Sequence, residues 1–389
     1  MKQSSLYPRP RSKVRILYVL PGNLGGITTG FLEIFQYLNL KKFQPTILLT
    51  KRDALKWFKM LGIHCCTVSR KSPERLIENL IRRKKIHLVQ CCDATFQGAL
   101  AAYRAGVPNV WFIGGSLKTT FKDSIKKPDA LSAVIDRLSR LIVVPTKVIQ
   151  KEEFSETGTW KKIRVIPWGI SGEARRCQRR EEGLKKRLGV PLSSPLVAMV
   201  GNFYPAKRHL DFLRAAFQIR RKMPQVHFVI GGRAIGPKGY FLKIQKTIRR
   251  LQMEEIVNVV PFSYGDRHGW YPEIDVLLCA SHEGMGQAIL EAAMNKVPIV
   301  AANVGGVPEV LEHNFSCLLV PFANPNAMAK AALRLLASPR LSRRLARHAF
   351  SQVQKKFGAR QQARRFEKLY LEVLNSEAAS KKELLRRKS

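Results

Sequence analysis

Short apolar segments alternate along this chain with longer stretches whose apolar residues recur at helical spacing. The first apolar segment, residues 14–20, is rich in β-branched and aromatic side chains and ends at Pro21 and Gly22, and residues 29–40 then have the spacing of a helix. Strands that alternate with helices are joined by crossovers and form a parallel sheet covered on both faces. The pattern therefore predicts an α/β fold.

The alternation occurs in two series, which predicts two doubly wound, Rossmann-like domains. The charged stretch 173–187 and the prolines at 191 and 195 separate them. The predicted strands are residues 14–20, 45–50, 65–68, 87–91, 109–113, 141–144 and 164–166 in the first series, and 196–200, 226–230, 257–261, 276–279, 298–301 and 316–320 in the second. Such sheets bind ligands at the carboxyl ends of their strands, so we expect the active site in the cleft between the domains.

The predicted domain limits are residues 1–170, 171–357 and 358–389. The last segment is expected to be a helix that packs back on the first domain, followed by a frayed basic tail over residues 381–389. Helices are predicted for residues 339–357 and 359–375.

Composition restricts the class of protein. The 389 residues are 45% hydrophobic and 25% charged, as in ordinary folded domains. The seven cysteines are odd in number and show no repeated C-x2-C spacing, so neither a disulfide framework nor a zinc site is expected. No apolar run has the length of a transmembrane helix or a signal-peptide core. We expect a protein made and kept in the cytoplasm.

The formal net charge of +40 indicates a polyanionic partner. The excess is spread over the chain, with +19 on residues 1–170, +11 on 171–340 and +10 on 341–389. An anionic membrane surface and a nucleic acid both fit this charge. The basic runs at 9–13 and 82–85 lack interleaved aromatic residues, the run at 118–127 has only Phe121, and no recognised nucleic-acid module is present, which disfavours nucleic acid. The alternative for runs such as 82–85 is ordinary solvated helix ends.

The most informative segment is residues 281–294. A loop with Gly284 and Gly286 follows a strand and opens into a helix, whose free N–H groups and dipole favour a phosphate or diphosphate. Glu291 lies in that helix among apolar residues. A buried carboxylate needs partners, and two ribose hydroxyls would satisfy it. The alternative is a surface glutamate on an amphipathic helix.

Glu283 and Glu291 also carry a resemblance to a known family. Together with residues 295–311, they resemble the E-x7-E signature of family 4 glycosyltransferases, which have the GT-B fold. Residues 200–207 are similar to that family's strand and G-R-x4-K loop, and residues 165–170 to its V-I-P-N-G-I segment. The resemblance covers nearly the whole second domain and is weaker in the first.

The resemblance implies roles for individual residues. Lys207 would bind the diphosphate of a nucleotide-sugar donor, Glu291 the ribose and Glu283 the hydroxyls of the transferred sugar, with backbone contacts from Gly284, Met285 and Gly286. It also implies retention of anomeric configuration without a metal or other cofactor, and the sequence has no D-x-D pair. A lone cation at a strand end suits a diphosphate independently. The alternative for Lys207 is a solvated loop lysine.

The sequence departs from the family pattern at two places. Asn202 occupies the position of the family's arginine, so Arg208 is the nearest replacement cation. No histidine follows the 107–110 strand segment, which leaves the acceptor side unassigned. Asp93, at a strand end, is a candidate for contact with the acceptor or the donor sugar, or equally a helix N-cap.

In the first domain, Gly25 and Gly26 are expected to let the loop backbone approach the donor closely, because a Cβ atom there would obstruct it.

These observations lead to a functional prediction. We expect a retaining glycosyltransferase that moves a hexose or N-acetylhexosamine from a nucleotide-diphosphate sugar to a glycan hydroxyl. The basic charge favours a lipid-linked acceptor, such as lipopolysaccharide core or another envelope polysaccharide, at the cytoplasmic face of the inner membrane. The alternatives are a catalytically inactive GT-B scaffold and a polyanion-binding protein, which donor hydrolysis would distinguish from the enzyme.

Overall fold

The computed structural model describes residues 13–68, 73–93, 95–115, 128–154, 159–172, 183–262 and 265–386. The chain divides into two compact units. The first takes its residues from Met1–Val144, Gln150–Ile166 and Arg360–Ser389, and the second from Pro145–Ile149 and Pro167–Ala359. Each unit contains one sheet whose described strand pairs are all parallel. The predicted α/β class is confirmed.

The sheet of the first unit has the strand order β3-β2-β1-β4-β5-β6-β7 in the described part of the chain. Its strands are β1 (Val14–Leu20), β2 (Phe43–Leu49), β3 (His64–Thr67), β4 (Leu88–Cys92), β5 (Asn109–Phe112), β6 (Leu141–Val144) and β7 (Ile163–Val165). The helices are α1 (Gly26–Phe35), α2 (Leu55–Met60), α3 (Pro73–Arg83), α4 (Phe96–Arg104), α5 (Pro128–Leu138) and α6 (Lys147–Phe154). The order reverses between β1 and β4, the switch point where doubly wound sheets bind ligands.

The sheet of the second unit has the order β10-β9-β8-β11-β12-β13 over the residues that the structure describes. Its strands are β8 (Leu196–Val200), β9 (His227–Gly232), β10 (Val257–Pro261), β11 (Val276–Cys279), β12 (Ile299–Ala302) and β13 (Leu318–Val320). Its helices are α7 (Leu184–Arg187), α8 (His209–Lys222), α9 (Lys238–Arg250), α10 (Arg267–Trp270), α11 (Gln287–Met294), α12 (Val307–Val310), α13 (Pro325–Ala337) and α14 (Pro339–Lys356).

All the predicted strands are present, with ends within two residues of the predicted ones. The first helix is the larger error, since it begins at Gly26 and ends at Phe35 rather than spanning residues 29–40. The apolar residues near position 38 keep the helical period beyond that end. However, the Asn39 side chain accepts hydrogen bonds from the N–H groups of Lys41 and Lys42, and this turn leads the chain into β2.

The C-terminal helix α15 spans Ala359–Arg386, so the predicted fraying from residue 381 is wrong as far as Arg386. Residues 376–386 contain mainly Glu, Ala, Lys, Leu and Arg, which are strong helix formers. The helix also pairs with the first unit, where Glu372 binds Arg164 at 2.8 Å and Glu377 binds Arg140 at 3.0 Å. None of the described helices combines the length and the apolar content needed to cross a membrane.

Candidate active site

The loops that follow β8, β9 and β11 emerge at the same edge of the second sheet. Strand β8 pairs in parallel with both β9 and β11, so the carboxyl ends of the three strands are neighbours. The loop after β8 carries Asn202 and Lys207, and the loop after β11 carries Glu283. Sheet topology thus brings together residues that lie about eighty positions apart in the chain.

Lys207 and Glu283 form an ion pair, with 2.5 Å between Nζ and Oε1. Ser281 donates from Oγ to the same carboxylate oxygen at 2.5 Å. Burial acts to lower the pKa of Lys207, but the charge and hydrogen bond of Glu283 outweigh it, so the pKa is raised. Only 32% of the lysine side chain and 14% of the glutamate side chain are exposed. Lys207 is therefore a charged ammonium group fixed by its ion pair with Glu283, and not a freely solvated loop lysine.

The glycine loop before α11 is fixed by close backbone packing. Gly286 has φ of +76° and precedes the helix, a conformation that favours glycine. The Gly284 carbonyl oxygen would lie 1.9 Å from a Cβ atom at Gly306, so only glycine fits there. The same carbonyl accepts a hydrogen bond from Thr146 Oγ1 at 3.1 Å. The loop is thus held before any ligand binds.

Met285 anchors this loop from the interior. Its side chain is buried, and its Sδ accepts the backbone N–H of Trp168 at 3.0 Å. The predicted contribution of Met285 to a ligand therefore concerns its backbone.

Glu291 lies on α11 with 7% of its surface exposed, as predicted for a buried carboxylate, and the surface-glutamate alternative is wrong. Tyr271, itself fully buried, donates its hydroxyl proton to Glu291 Oε2 at 2.8 Å. The tyrosine comes from the 3₁₀ turn Tyr271–Glu273 just before β11. The sequence supplies no local signal for this contact, because the two residues are twenty positions apart and belong to different elements.

Asn202 and Arg208, the two residues at the departure from the family pattern, are both engaged in the protein. Asn202 Oδ1 accepts the backbone N–H of Arg233 at 3.2 Å. Arg208 begins α8 with φ of +57°; its Nε binds Asp211 Oδ2 at 2.5 Å and its guanidinium lies 4.7 Å from the Phe322 ring centre. A phosphate role for Arg208 stays a prediction.

Gly25 and Gly26 belong to the first unit, at the N-terminus of α1. Gly25 is the N-cap residue, with an extended backbone that any residue adopts, and Gly26 is the first helical residue. The loop position that requires glycine is Gly22. Its φ is +78°, and a Cβ atom there would lie 2.1 Å from the Lys51 carbonyl oxygen. The predicted close approach of Gly25 and Gly26 to a ligand stays a prediction.

Asp93 directly follows β4 in the first unit and has φ of +32°. Its Oδ1 accepts the backbone N–H of Gly114 at 2.8 Å. The N-cap of α4 is Thr95, so the helix-cap alternative for Asp93 is wrong. Burial, opposed by the Gly114 hydrogen bond and assisted by the charge of Glu153, raises the pKa of Asp93 to about 7. A carboxyl that titrates near neutrality can hold or accept a proton.

The predicted basic runs are only partly covered by the structure. Residues 82–85 end α3 and begin the turn beyond it, whereas residues 9–12 and 118–127 lie outside the described residues. Within the described ranges, no group of three or more His, Cys, Asp or Glu side chains is arranged to hold a metal ion.

The sequence and the fold are similar to those of known proteins. Residues 181–352 match the family model described as Glycosyl transferases group 1. Over the whole chain, the fold resembles Anabaena HepE, crystallised with UDP-glucose, with a TM-score of 0.79, 19% identity, and coverage of 92% of this chain and 99% of that one. It also resembles sucrose-phosphate synthase from Thermosynechococcus elongatus, with a TM-score of 0.76, 16% identity, and coverage of 94% and 100%.

Curated relatives match part of the chain. N-acetyl-alpha-D-glucosaminyl L-malate synthase of Bacillus anthracis is 26% identical over 198 residues, 51% of this chain and 51% of that protein. D-inositol 3-phosphate glycosyltransferase of Mycobacterium bovis is 30% identical over 228 residues, 56% of this chain and 46% of that protein. The chain spans about half the length of these curated relatives.

The two sheets and their helices have the GT-B fold, as predicted. Within it, residues 181–352 match the Glycosyl transferases group 1 model, and this segment carries the site around Lys207, Glu283 and Glu291.

Proposed function

We propose that the protein is a retaining glycosyltransferase that moves a hexose or N-acetylhexosamine from a nucleotide-diphosphate sugar to a hydroxyl of a glycan. The observation that carries this proposal is the grouping around α11. The ion pair of Lys207 with Glu283 lies in the loops at the strand ends, and Glu291 is buried on the helix that starts from the glycine loop. The named activities of the matching relatives support the same reaction class.

In the proposed reaction, the bond between the sugar C1 and the diphosphate oxygen breaks, and a bond from C1 to the acceptor oxygen forms on the same face. The departing diphosphate oxygen takes the acceptor proton, so charge and atoms balance. Lys207 and the N–H groups at the start of α11 stabilise the leaving-group charge. Glu283 orients the hydroxyls of the sugar and Glu291 those of the ribose. Because fixed protein groups supply this stabilisation, the reaction is proposed to need no metal or other cofactor.

The proposed acceptor is lipid-linked, such as lipopolysaccharide core or a related envelope polysaccharide at the cytoplasmic face of the inner membrane. Helices α3 and α4 expose Leu76 (47%) and Tyr103 (54%) beside basic side chains. Arg82, Arg83 and Arg104 are exposed there, and Arg82 also reaches the Arg104 carbonyl oxygen at 3.4 Å. Exposed apolar and cationic groups on these two helices suit an anionic membrane, where each basic residue contributes about 1 kcal/mol.

The test is a hydrolysis screen in which purified protein is incubated with nucleotide sugars in the presence of EDTA. Proton NMR reads both the rate and the anomer of the released sugar. The proposal predicts slow hydrolysis of one donor with retained configuration, lost in Glu291→Ala and kept in Arg249→Ala, an exposed site on α9. Nucleotide binding without turnover indicates an inactive scaffold. The absence of nucleotide binding indicates a polyanion-binding protein.

A further inference from the structure

The proposed donor site needs more positive charge than Lys207 alone supplies. A diphosphate leaving group carries at least two negative charges, whereas the Lys207 ammonium is already paired with the Glu283 carboxylate at 2.5 Å. Asn202 occupies the position where the resembled family has an arginine, and its side chain is neutral. Arg208 is paired with Asp211 at 2.5 Å. A second cation from another element would complete the charge balance.

Arg233 occupies a suitable place. It directly follows β9, the strand that pairs in parallel with β8, so it emerges at the same edge as the loop that carries Lys207. Two hydrogen bonds fix its backbone to that loop. Its N–H donates to Asn202 Oδ1 at 3.2 Å, and its carbonyl oxygen accepts from the Phe203 N–H at 3.0 Å. The asparagine that replaces the family's arginine thus holds the backbone of another arginine.

Gly201 lies close to both the Lys207 side chain and the backbone next to Arg233. The Lys207 side chain passes 3.4 Å from the point where a Cβ atom of Gly201 would lie. Gly232, the neighbour of Arg233, approaches so closely that its own Cβ atom would lie 2.1 Å from the Gly201 carbonyl oxygen. The chain segments of Lys207 and Arg233 therefore approach the same backbone position.

The residues packed around the Gly201 carbonyl group are buried. His209 is fully buried, lies 3.3 Å from the Gly201 carbonyl oxygen through Nε2, and packs against the rings of Phe203 and Tyr240. Burial lowers the pKa of His209 to about 4, so its ring is neutral at physiological pH and adds no charge of its own. The positive charge for the diphosphate must therefore come from other side chains, such as Lys207 and Arg233.

We propose that the guanidinium of Arg233 is the second cation for the donor's diphosphate, and that it replaces the charge absent at Asn202. This inference rests on the proposed function, because it concerns the same nucleotide. A guanidinium is suited to the task, since its planar fork can donate two hydrogen bonds to one phosphate group. Arg233 would then select for nucleotides with two phosphates over those with one or none.

The experiment measures dissociation constants by calorimetry for UDP, UMP and uridine, with GDP, GMP and guanosine in parallel. It compares the wild type with Arg233→Ala, Arg233→Lys and the charge-matched control Arg249→Ala. Arg233→Ala is expected to weaken diphosphate binding roughly ten- to a hundredfold and nucleoside binding less than threefold. Arg233→Lys should bind the diphosphate with an affinity between those of the wild type and Arg233→Ala, because lysine keeps the charge but lacks the planar guanidinium.

A rescue variant guards against a merely structural effect. Asn202→Arg in the Arg233→Ala background restores a cation at the neighbouring position and should recover at least part of the diphosphate affinity. An equal loss for nucleoside, monophosphate and diphosphate, or no loss at all, would overturn the inference while leaving the proposed function intact. If the wild type binds none of these nucleotides, the proposed function fails and this inference fails with it.

Discussion

The predicted site residues of the two units differ in how extensively they hydrogen-bond to one another. In the second unit, two hydrogen bonds link Lys207 and Ser281 to Glu283, and a third joins Tyr271 to Glu291. In the described part of the first unit, the predicted site residues are Gly25, Gly26 and Asp93, whose Oδ1 accepts the backbone N–H of Gly114.

This difference matches the extent of the family model, which covers residues 181–352 and stops short of the first unit. A nucleotide diphosphate is the same for many donors, so its site can be assembled once from fixed side chains. Acceptors vary between enzymes, and loops on a common scaffold can vary with them. The proposed function accordingly places donor binding in the second unit and acceptor choice in the first.

The largest expected effect is in the second unit, where Lys207→Ala should lower kcat/KM for the nucleotide sugar about a hundred- to a thousandfold. The substitution removes the cation proposed to stabilise the leaving group, an effect of this order in other preorganised sites. Initial rates at low donor concentration measure it. Lys222→Ala, an exposed lysine at the end of α8, is the matched control and should react like the wild type. Equal activity of both variants would remove Lys207 from the mechanism.

The next effect concerns the surface of the first unit. The double variant Arg82→Ala/Arg83→Ala should weaken binding to vesicles containing anionic phospholipid roughly ten- to thirtyfold at low salt, because each arginine contributes about 1 kcal/mol. Vesicle co-sedimentation measures the change. The double variant Arg249→Ala/Arg250→Ala removes the same charge from α9 and is expected to bind nearly as the wild type. If the two variants lose affinity equally, net charge rather than this surface governs binding.

A smaller effect is expected on stability through Asp93. Its pKa is about 7 in the folded protein and near 3.8 in the unfolded chain, so the folded state binds more protons between those values. Its contribution to stability is therefore fully present below about pH 4 and is lost as the pH rises through 7. Asp93→Asn carries no such titration. It should stabilise the protein at pH 8 by about 1–2 kcal/mol relative to the wild type, an amount reduced by solvent contact.

Chemical denaturation at pH 5 and pH 8 tests this sign, and the difference between variant and wild type should shrink at the lower pH. A variant that is less stable at pH 8 than at pH 5, relative to the wild type, contradicts the assignment. If Asp93 also serves acceptor binding, the same substitution will change the pH dependence of transfer near neutrality while donor hydrolysis is unaffected.

The smallest expected effect concerns Tyr271, which hydrogen-bonds to Glu291 in the proposed donor site. Tyr271→Phe removes the hydroxyl that donates to Glu291 at 2.8 Å and should raise the donor KM about fivefold, the consequence of losing about 1 kcal/mol. The penalty should largely disappear with a 2′-deoxy donor if Glu291 binds the ribose hydroxyls. A penalty that is the same for both donors would show that Tyr271 supports the fold rather than the ribose contact.

The fold was predictable from the sequence because strand and helix periods are local properties. The glycine loop and the two motif glutamates were also predictable, since their meaning depends on short spacings. Contacts between distant elements were not. Thr146 with Gly284 and Asn202 with Arg233 are separated by 138 and 31 residues, and only strand order brings such pairs together.

Two errors in the helices have a related cause. The apolar period continues past Phe35, but the chain turns at Asn39 into β2. The basic composition of the tail predicts fraying, whereas Glu372 and Glu377 pair with arginines of the first unit and hold α15 there. In both cases a tertiary or side-chain contact decided the outcome over the local pattern. The contact of Ser281 with Glu283 is local by comparison, because the two residues are only two positions apart.

The central claim is that a nucleotide diphosphate binds with its phosphates at Lys207 and its ribose at Glu291. Calorimetric titration of UDP and GDP in EDTA tests this claim most directly, with the wild type compared with Lys207→Ala and Glu291→Gln. We expect the wild type to bind one nucleotide without metal, and both variants to bind it at least tenfold more weakly. Binding that is unchanged in both variants would place the nucleotide elsewhere and contradict the account.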